Sequence, residues 1–285
     1  MRFIDPTLYA SRRGLPELEL LAAAGAMAVV EPTTWQGIER RFAESHLDDF
    51  ERLITGEARR AFTVRLGYAA CLGVPPQEAE DEALARRVLE RMPRFLGHER
   101  VAAIGEAGLS CGSAAEESIF RLQARLARHH GLPFVVRLPL YERSAIFARV
   151  VAILSEEGLA PGRVLVNGAL EDVLPTLRAI GCWAGLAVGV NEGVSVEQAV
   201  QIVASRGPER LTLHSAAGRL GGDPLAVPRV ARHLLGLGFA PEWVEQLLYH
   251  NPKAFFSLGR PLDIVEVGRT GVAPRPVEDD QLKAG

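Results

Sequence analysis

Val101-Ala102-Ala103-Ile104-Gly105-Glu106-Ala107-Gly108-Leu109 is the stretch on which the fold turns. A short apolar run ends at glycine and a carboxylate, and a longer amphipathic run over 114–130 follows. That is one strand and one helix, the unit of a parallel α/β domain. Reading outward, the unit recurs. Strands are predicted at Phe3-Ile4, 27–30, 63–66, 101–104, Phe134-Val135-Val136, Val164-Leu165-Val166, 183–188 and Leu211-Thr212-Leu213. Helices are predicted over 15–24, 47–60, 78–96 (ended or kinked at Pro93), 114–130, 141–157, 171–180, 196–205, 223–237 and 241–249, several of them closed by glycine. About eight such units predict a TIM-like (β/α)8 barrel of class α/β. Purely apolar strands suit a parallel sheet buried on both faces. The rival is an open doubly wound sheet, but the first turn, Asp5-Pro6-Thr7, lacks a GxGxxG. One barrel domain is expected over 1–259, with 260–285 a Pro-, Gly- and charge-bearing C-terminal tail, on the surface or disordered.

Bulk composition excludes several classes of function. Apolar residues make up 48% of the 285 and charged residues 24%, ordinary for a globule with a sizeable core. Net charge is −3, which gives no footprint for nucleic acid or an anionic membrane. No apolar run is long enough to insert into a bilayer, and the N-terminus has no signal-peptide pattern. Cys71, Cys111 and Cys182 are far apart and form no CxxC pair, which fits a cytoplasmic protein with inert thiols.

In a barrel the chemistry lies where strands end. Strand one ends at Asp5, Thr7 and Tyr9, and strand two at Glu31. Strand three offers Arg65, Tyr68 and Cys71. Strand four ends at Glu106, strand five at Arg137, strand six at Asn167-Gly168 and strand seven near Asn191-Glu192. Strand eight ends at His214-Ser215-Ala216-Ala217-Gly218. His46 reads as a helix-start residue. The loop Gly218-Arg219-Leu220-Gly221-Gly222-Asp223 is rich in amides that suit an anion, with Arg219 assisting; the plainer reading makes Asp223 the N-cap of a helix starting at Pro224.

The motifs in order resemble the TatD family of metal-dependent hydrolases, within the amidohydrolase superfamily of barrels. The resemblance rests on Ile104-Gly105-Glu106-Ala107-Gly108-Leu109, on Phe120, Gln123, Leu126 and Ala127 followed by Leu132-Pro133, and on the terminal Asn251-Pro252-Lys253-Ala254-Phe255. The opening Ile4-Asp5-Pro6, with Glu31-Pro32 and Ser215-Ala216-Ala217, is similar to a related branch whose first strand reads Asp-Pro-His-x-His. The likeness runs from about residue 2 to 256. It implies a barrel hydrolase with two metals held by two strand-one histidines, a bridging glutamate after strand four, histidines after strands five and six, and an aspartate after strand eight. Here those places hold Thr7, Tyr9, Glu106, Arg137, Asn167-Gly168 and Gly218, so one expected ligand of six, Glu106, remains.

The replacement at strand five opposes a metal. A guanidinium does not deprotonate in a protein. At an effective dielectric of about 20, two unit charges about 4 Å apart repel by about 4 kcal/mol, and a divalent ion doubles that. An Arg137–Glu106 ion pair is the expected substitute, because it neutralises a carboxylate left without its metal.

Three readings follow. The first is a pseudoenzyme, a degenerate barrel without its metal centre that binds an anionic small molecule or a protein partner. Its ligand residues are Arg137, Glu31, Asp5, Asn167 and Arg219, and it needs no cofactor. The second is a hydrolase with a reduced site, in which Glu106 and His214 are catalytic, either with no metal or with one divalent metal held by Glu106, Glu31 and His214. The third is an inactive subunit that pairs with an active homologue. For single residues the plainer alternatives are a salt-bridged Glu106, a backbone-capping Asp5, a loop-acceptor Glu31 and a structural His214.

Overall fold

Residues 1–189, 193–218 and 222–264 are described in a computed structural model. The eight strands are β1 (Phe3–Asp5), β2 (Ala26–Pro32), β3 (Gly67–Leu72), β4 (Val101–Gly108), β5 (Phe134–Arg137), β6 (Val164–Asn167), β7 (Trp183–Ala187) and β8 (Leu211–His214). They run parallel in sequence order, with helices between them, as a nearly closed TIM-like barrel. Where β8 meets β1 the strand ends are tied through their loops: Ala216 N–H donates to Thr7 O at 3.0 Å and Tyr9 N–H to Ala217 O at 2.9 Å.

Alternation along each strand divides two cores. Ile4, Ala28, Val30, Ala69, Cys71, Val135 and Leu165 fill the barrel interior. Phe3, Val29, Tyr68, Ala70, Phe134, Val136, Val164, Val166, Leu211 and Leu213 face the helices. The interior is stoppered from below by Tyr249, Phe255, Phe256 and Leu262. Asn251 anchors that stopper, because its Nδ2 donates to Leu211 O at 2.8 Å and to Pro208 O at 2.5 Å. Gln123, the glutamine of the helix motif, is likewise structural. It accepts from Val74 N–H at 2.8 Å and donates to Val74 O at 3.0 Å, fixing the loop after β3.

Several local expectations are corrected. The run 63–66 is not a strand. A helix, Ala58–Thr63, ends there, Arg65 turns at φ 58°, and β3 begins at Gly67. The β-branched residues misled, while the true strand is built of small residues. A Cβ on Gly67 would lie 2.5 Å from Asp263 O and 2.8 Å from Met27 O, so close packing at the barrel base outweighs local propensity. The helix of 47–60 starts earlier, at Ala43–Glu51, and continues through a π turn, Arg52–Glu57. The helix of 78–96 is three pieces, Pro76–Ala79, Glu82–Arg91 and Pro93–Leu96. His46 is no helix start: it is buried within Ala43–Glu51, 3.6 Å from Glu78. Asp223 does not cap a helix at Pro224. The helix is Ala226–Gly236, and Asp223 accepts from Leu225 N–H at 2.9 Å and pairs with Arg229.

The chain holds to the barrel base past residue 259. Arg260 donates to Leu96 O at 2.7 Å and to His98 O, and Asp263 pairs with Arg100. Residues 265–285 lie outside the described residues. Among the described residues no helix is long and apolar enough to cross a membrane.

Candidate functional site

The mouth side chains follow from strand phase. Val135 points into the barrel, so Arg137, two residues on, does too; Leu165 does the same for Asn167. Leu211 and Leu213 face the helices, which leaves His214 inside. Glu106 arrives by a register slip. The β4–β5 pairing jumps between Ile104 and Ala107, leaving Gly105-Glu106 as a bulge. A Cβ on Gly105 would meet Val135 O at 2.4 Å, so the bulge needs glycine. Thr33 Oγ1 braces it by donating to Gly73 O at 2.9 Å and Gly105 O at 3.2 Å.

Glu106 is the hub. Asn167 Nδ2 donates to its Oε1 at 2.9 Å, Tyr9 Oη to its Oε2 at 3.4 Å, and Arg137 Nη1 lies 3.8 Å from Oε2. The ion pair expected from the sequence is therefore present. Thr7 joins from β1: its Oγ1 accepts from Asn167 Nδ2 at 3.0 Å and donates to Pro6 O at 2.7 Å. Burial and the neighbouring Glu106 push the Tyr9 hydroxyl well up, so it stays a neutral donor. The same two causes raise the Cys71 thiol and keep it protonated.

Two cavities share this hub. The inner one, about 40 Å³, is bordered by Thr7, Tyr9, Asn167, Ala187 and His214, with Leu140 and Arg143 toward the outside. The outer one, about 510 Å³, is bordered by Arg12, Trp35, Pro75, Pro76 and Gln77. Glu106 and Arg137 line both. His214 is buried, neither ring nitrogen has a partner among the described residues, and burial pushes its pKa down to about 4, with Glu106 partly opposing. The Asn167 Oδ1 atom is also buried without a partner.

Three sequence candidates stand elsewhere. Asp5 points away from the cavities and organises the β1–β8 junction, accepting from Ser215 Oγ at 2.5 Å, Ser215 N–H at 3.2 Å and Thr7 N–H at 3.2 Å. Burial outweighs those bonds and raises its pKa to about 7. Glu31 shares the outward phase of Val29 and lies between barrel and helices. It accepts from Ser11 Oγ at 2.5 Å and Tyr68 Oη at 3.0 Å, and burial raises it to about 7. Strand phase thus removes both from the ligand set. Arg65 precedes β3 and sits at the opposite end of the barrel. Arg219 lies outside the described residues, as do Asn191 and Glu192.

Arg12, Arg143 and Gly185 belong to the mouth and were not singled out in the sequence. Arg12 comes from the loop after β1, donating to Trp35 O at 2.9 Å. Arg143, 3.6 Å from Asp172, opens the helix after β5. Gly185 faces Asn167 from β7: a Cβ there would fall 2.2 Å from Asn167 Oδ1. Only the inward phase of their strands and loops marks them, and that is set by packing.

At the mouth the described residues bring together one carboxylate, Glu106, and one neutral imidazole, His214. The sole trio of described His, Cys, Asp or Glu side chains with ligand atoms within 4.8 Å of one another is Glu80, Cys111 and Glu116, away from these cavities. One carboxylate and one imidazole facing a guanidinium fall short of the four to six ligands of a divalent site, so these residues do not fit a binuclear centre.

Comparison with known proteins supplies the lineage. The chain is 24% identical over 255 residues to an uncharacterized metal-dependent hydrolase of Methanocaldococcus jannaschii, covering 90% of this chain and 100% of that one. The TatD-like protein of Archaeoglobus fulgidus superposes with a TM-score of 0.71 at 20% identity, covering 89% of this chain and 99% of that one. The phosphotriesterase homology protein of Escherichia coli, solved with phosphate in its active site, superposes with a TM-score of 0.65 at 19% identity, covering 90% and 99%. Residues 44–257 match the family described as TatD related DNase, and this chain belongs to that family of metal-dependent hydrolases.

Proposed function

We propose that this barrel has exchanged the metal centre of its family for the Arg137–Glu106 pair and works as a non-catalytic binding protein for a small anion. The observation that carries the reading is Arg137 itself. Its guanidinium stands 3.8 Å from Glu106, on the wall shared by both cavities, with its side chain 21% exposed. There it places a permanent cation of the kind that pairs with carboxylate or phosphate. Glu106 offsets part of that charge, while Arg12 and Arg143 add to it.

The test has two arms. Elemental analysis of untagged protein purified without chelator is expected to find no stoichiometric zinc, manganese or iron. Titration calorimetry with phosphate and acetate is expected to show salt-sensitive binding that Arg137→Ala weakens. A retained transition metal, or equal binding by wild type and variant, overturns the reading.

A second reading, a hydrolase with a reduced site, draws on the shared cavity of Glu106 and His214. In it Glu106 acts as general base on a water, and Glu106→Gln would abolish hydrolysis. Activity in purified, metal-free protein that vanishes in that variant would favour this reading over the first.

A further inference from the structure

Among the described residues three buried polar atoms, Asn167 Oδ1, His214 Nδ1 and His214 Nε2, have no partner, and their side chains line the inner cavity. Each buried group left unsatisfied costs about 1–3 kcal/mol, so a cluster of them at one cavity points to an occupant. The amide orientation is determined by its surroundings. Nδ2 donates to Thr7 Oγ1 and to Glu106 Oε1, and turning the group over would set Oδ1 against the carboxylate. Oδ1 is therefore turned toward β7, close enough that a Cβ on residue 185 would collide with it. The imidazole, neutral in its buried setting, carries one donor and one acceptor.

An occupant must then donate to Asn167 Oδ1 and exchange a hydrogen bond with His214. An ammonium only donates and would face Arg137 and Arg143 across the cavity. A carboxylate only accepts and would meet the amide oxygen with like partial charge. A hydroxyl does both. The inner cavity is much the smaller of the two, about 40 Å³ against about 510 Å³. The charged part of a ligand has its room in the outer cleft, which Arg137, Arg12 and Trp35 line.

We infer that the ligand is a hydroxylated anion bound in two parts, its hydroxyl in the inner cavity on Asn167 and His214 and its charged group on Arg137 in the outer cleft. This rests on the anion-binding reading above and adds the feature that selects among anions.

Matched pairs isolate that feature in the wild-type chain. Lactate is compared with propionate, and glycerol 1-phosphate with propyl phosphate, by calorimetry at fixed ionic strength. In at least one pair the hydroxylated member should bind about tenfold tighter or more, equivalent to about 1.4 kcal/mol. The pair that shows the preference identifies carboxylate or phosphate as the charged group. His214→Leu should erase the preference, bringing the two members of the pair to equal affinity. If His214→Leu does not fold, Gly185→Ala, whose Cβ would displace the Asn167 amide, should narrow the preference within the pair. Equal affinities within both pairs, or a preference that survives these variants, would leave the inner cavity to a water and overturn the inference while the anion site stands. Failure of all four compounds to bind would instead overturn the anion reading.

Discussion

Arg137 Nη1 stands 3.8 Å from Glu106 Oε2, across the pairing of β5 with β4 at the barrel mouth. Among the described residues the other groups that hold Glu106 are neutral donors, Asn167 and Tyr9. Arg137→Met should therefore destabilise the fold by about 1–2 kcal/mol, because a buried carboxylate loses its counter-charge. Glu106→Gln combined with Arg137→Met should recover much of that loss. Urea denaturation of the two single variants and the double variant measures the coupling. Additive losses would mean the pair does not act as a unit.

Close approach of β6 and β7 makes a second expectation. A Cβ on Gly185 would sit 2.2 Å from Asn167 Oδ1, whereas one on Gly97 meets nothing within 4 Å. Gly185→Ala should cost about 1–3 kcal/mol through the displaced amide. Gly97→Ala should stay within about 0.5 kcal/mol of wild type. Thermal denaturation of both variants is the measurement, and similar melting temperatures for the two would contradict this packing.

Asp5 gives the fold a pH dependence of defined sign. Its pKa is raised to about 7 from 3.8, so between those values the folded chain binds a proton that the unfolded chain has released. Its contribution is greatest below the unfolded value and is lost as pH rises through about 7. Asp5→Asn removes that loss. Relative to wild type, the variant should gain at least about 1 kcal/mol of stability on going from pH 5 to pH 9. A pH-independent difference would show that Asp5 ionises normally.

For His214 the sign is opposite. Burial depresses its pKa to about 4 from 6.5, so its contribution is full above 6.5 and is lost as pH falls toward 4. Ring resonances observed by nuclear magnetic resonance should titrate with a midpoint near 4. A His214 midpoint at 6.5 or above would mean that the ring is solvated or pairs more strongly with Glu106.

Much of this molecule is legible without coordinates. Apolar runs such as Phe134-Val135-Val136 and Val164-Leu165-Val166, each followed by an amphipathic stretch, set the barrel, because a parallel strand buried on both faces admits little else. Successive strands are neighbours in such a barrel, so Glu106 and Arg137 were expected together, and their charges left few stable alternatives to pairing. Facing direction was not legible. Asp5 and Glu31 end strands just as Arg137 does, yet strand phase turns them outward toward Ser215 and Ser11, and one residue of phase moves a side chain to the other face. Nor was β3 legible, since its start depends on how closely Asp263 and Met27 approach Gly67. The inner cavity belongs wholly to the tertiary structure. Asn167, Gly185 and His214 come from three strands, and an amide oxygen is left without a partner only when chains far apart in sequence have taken up their register around it.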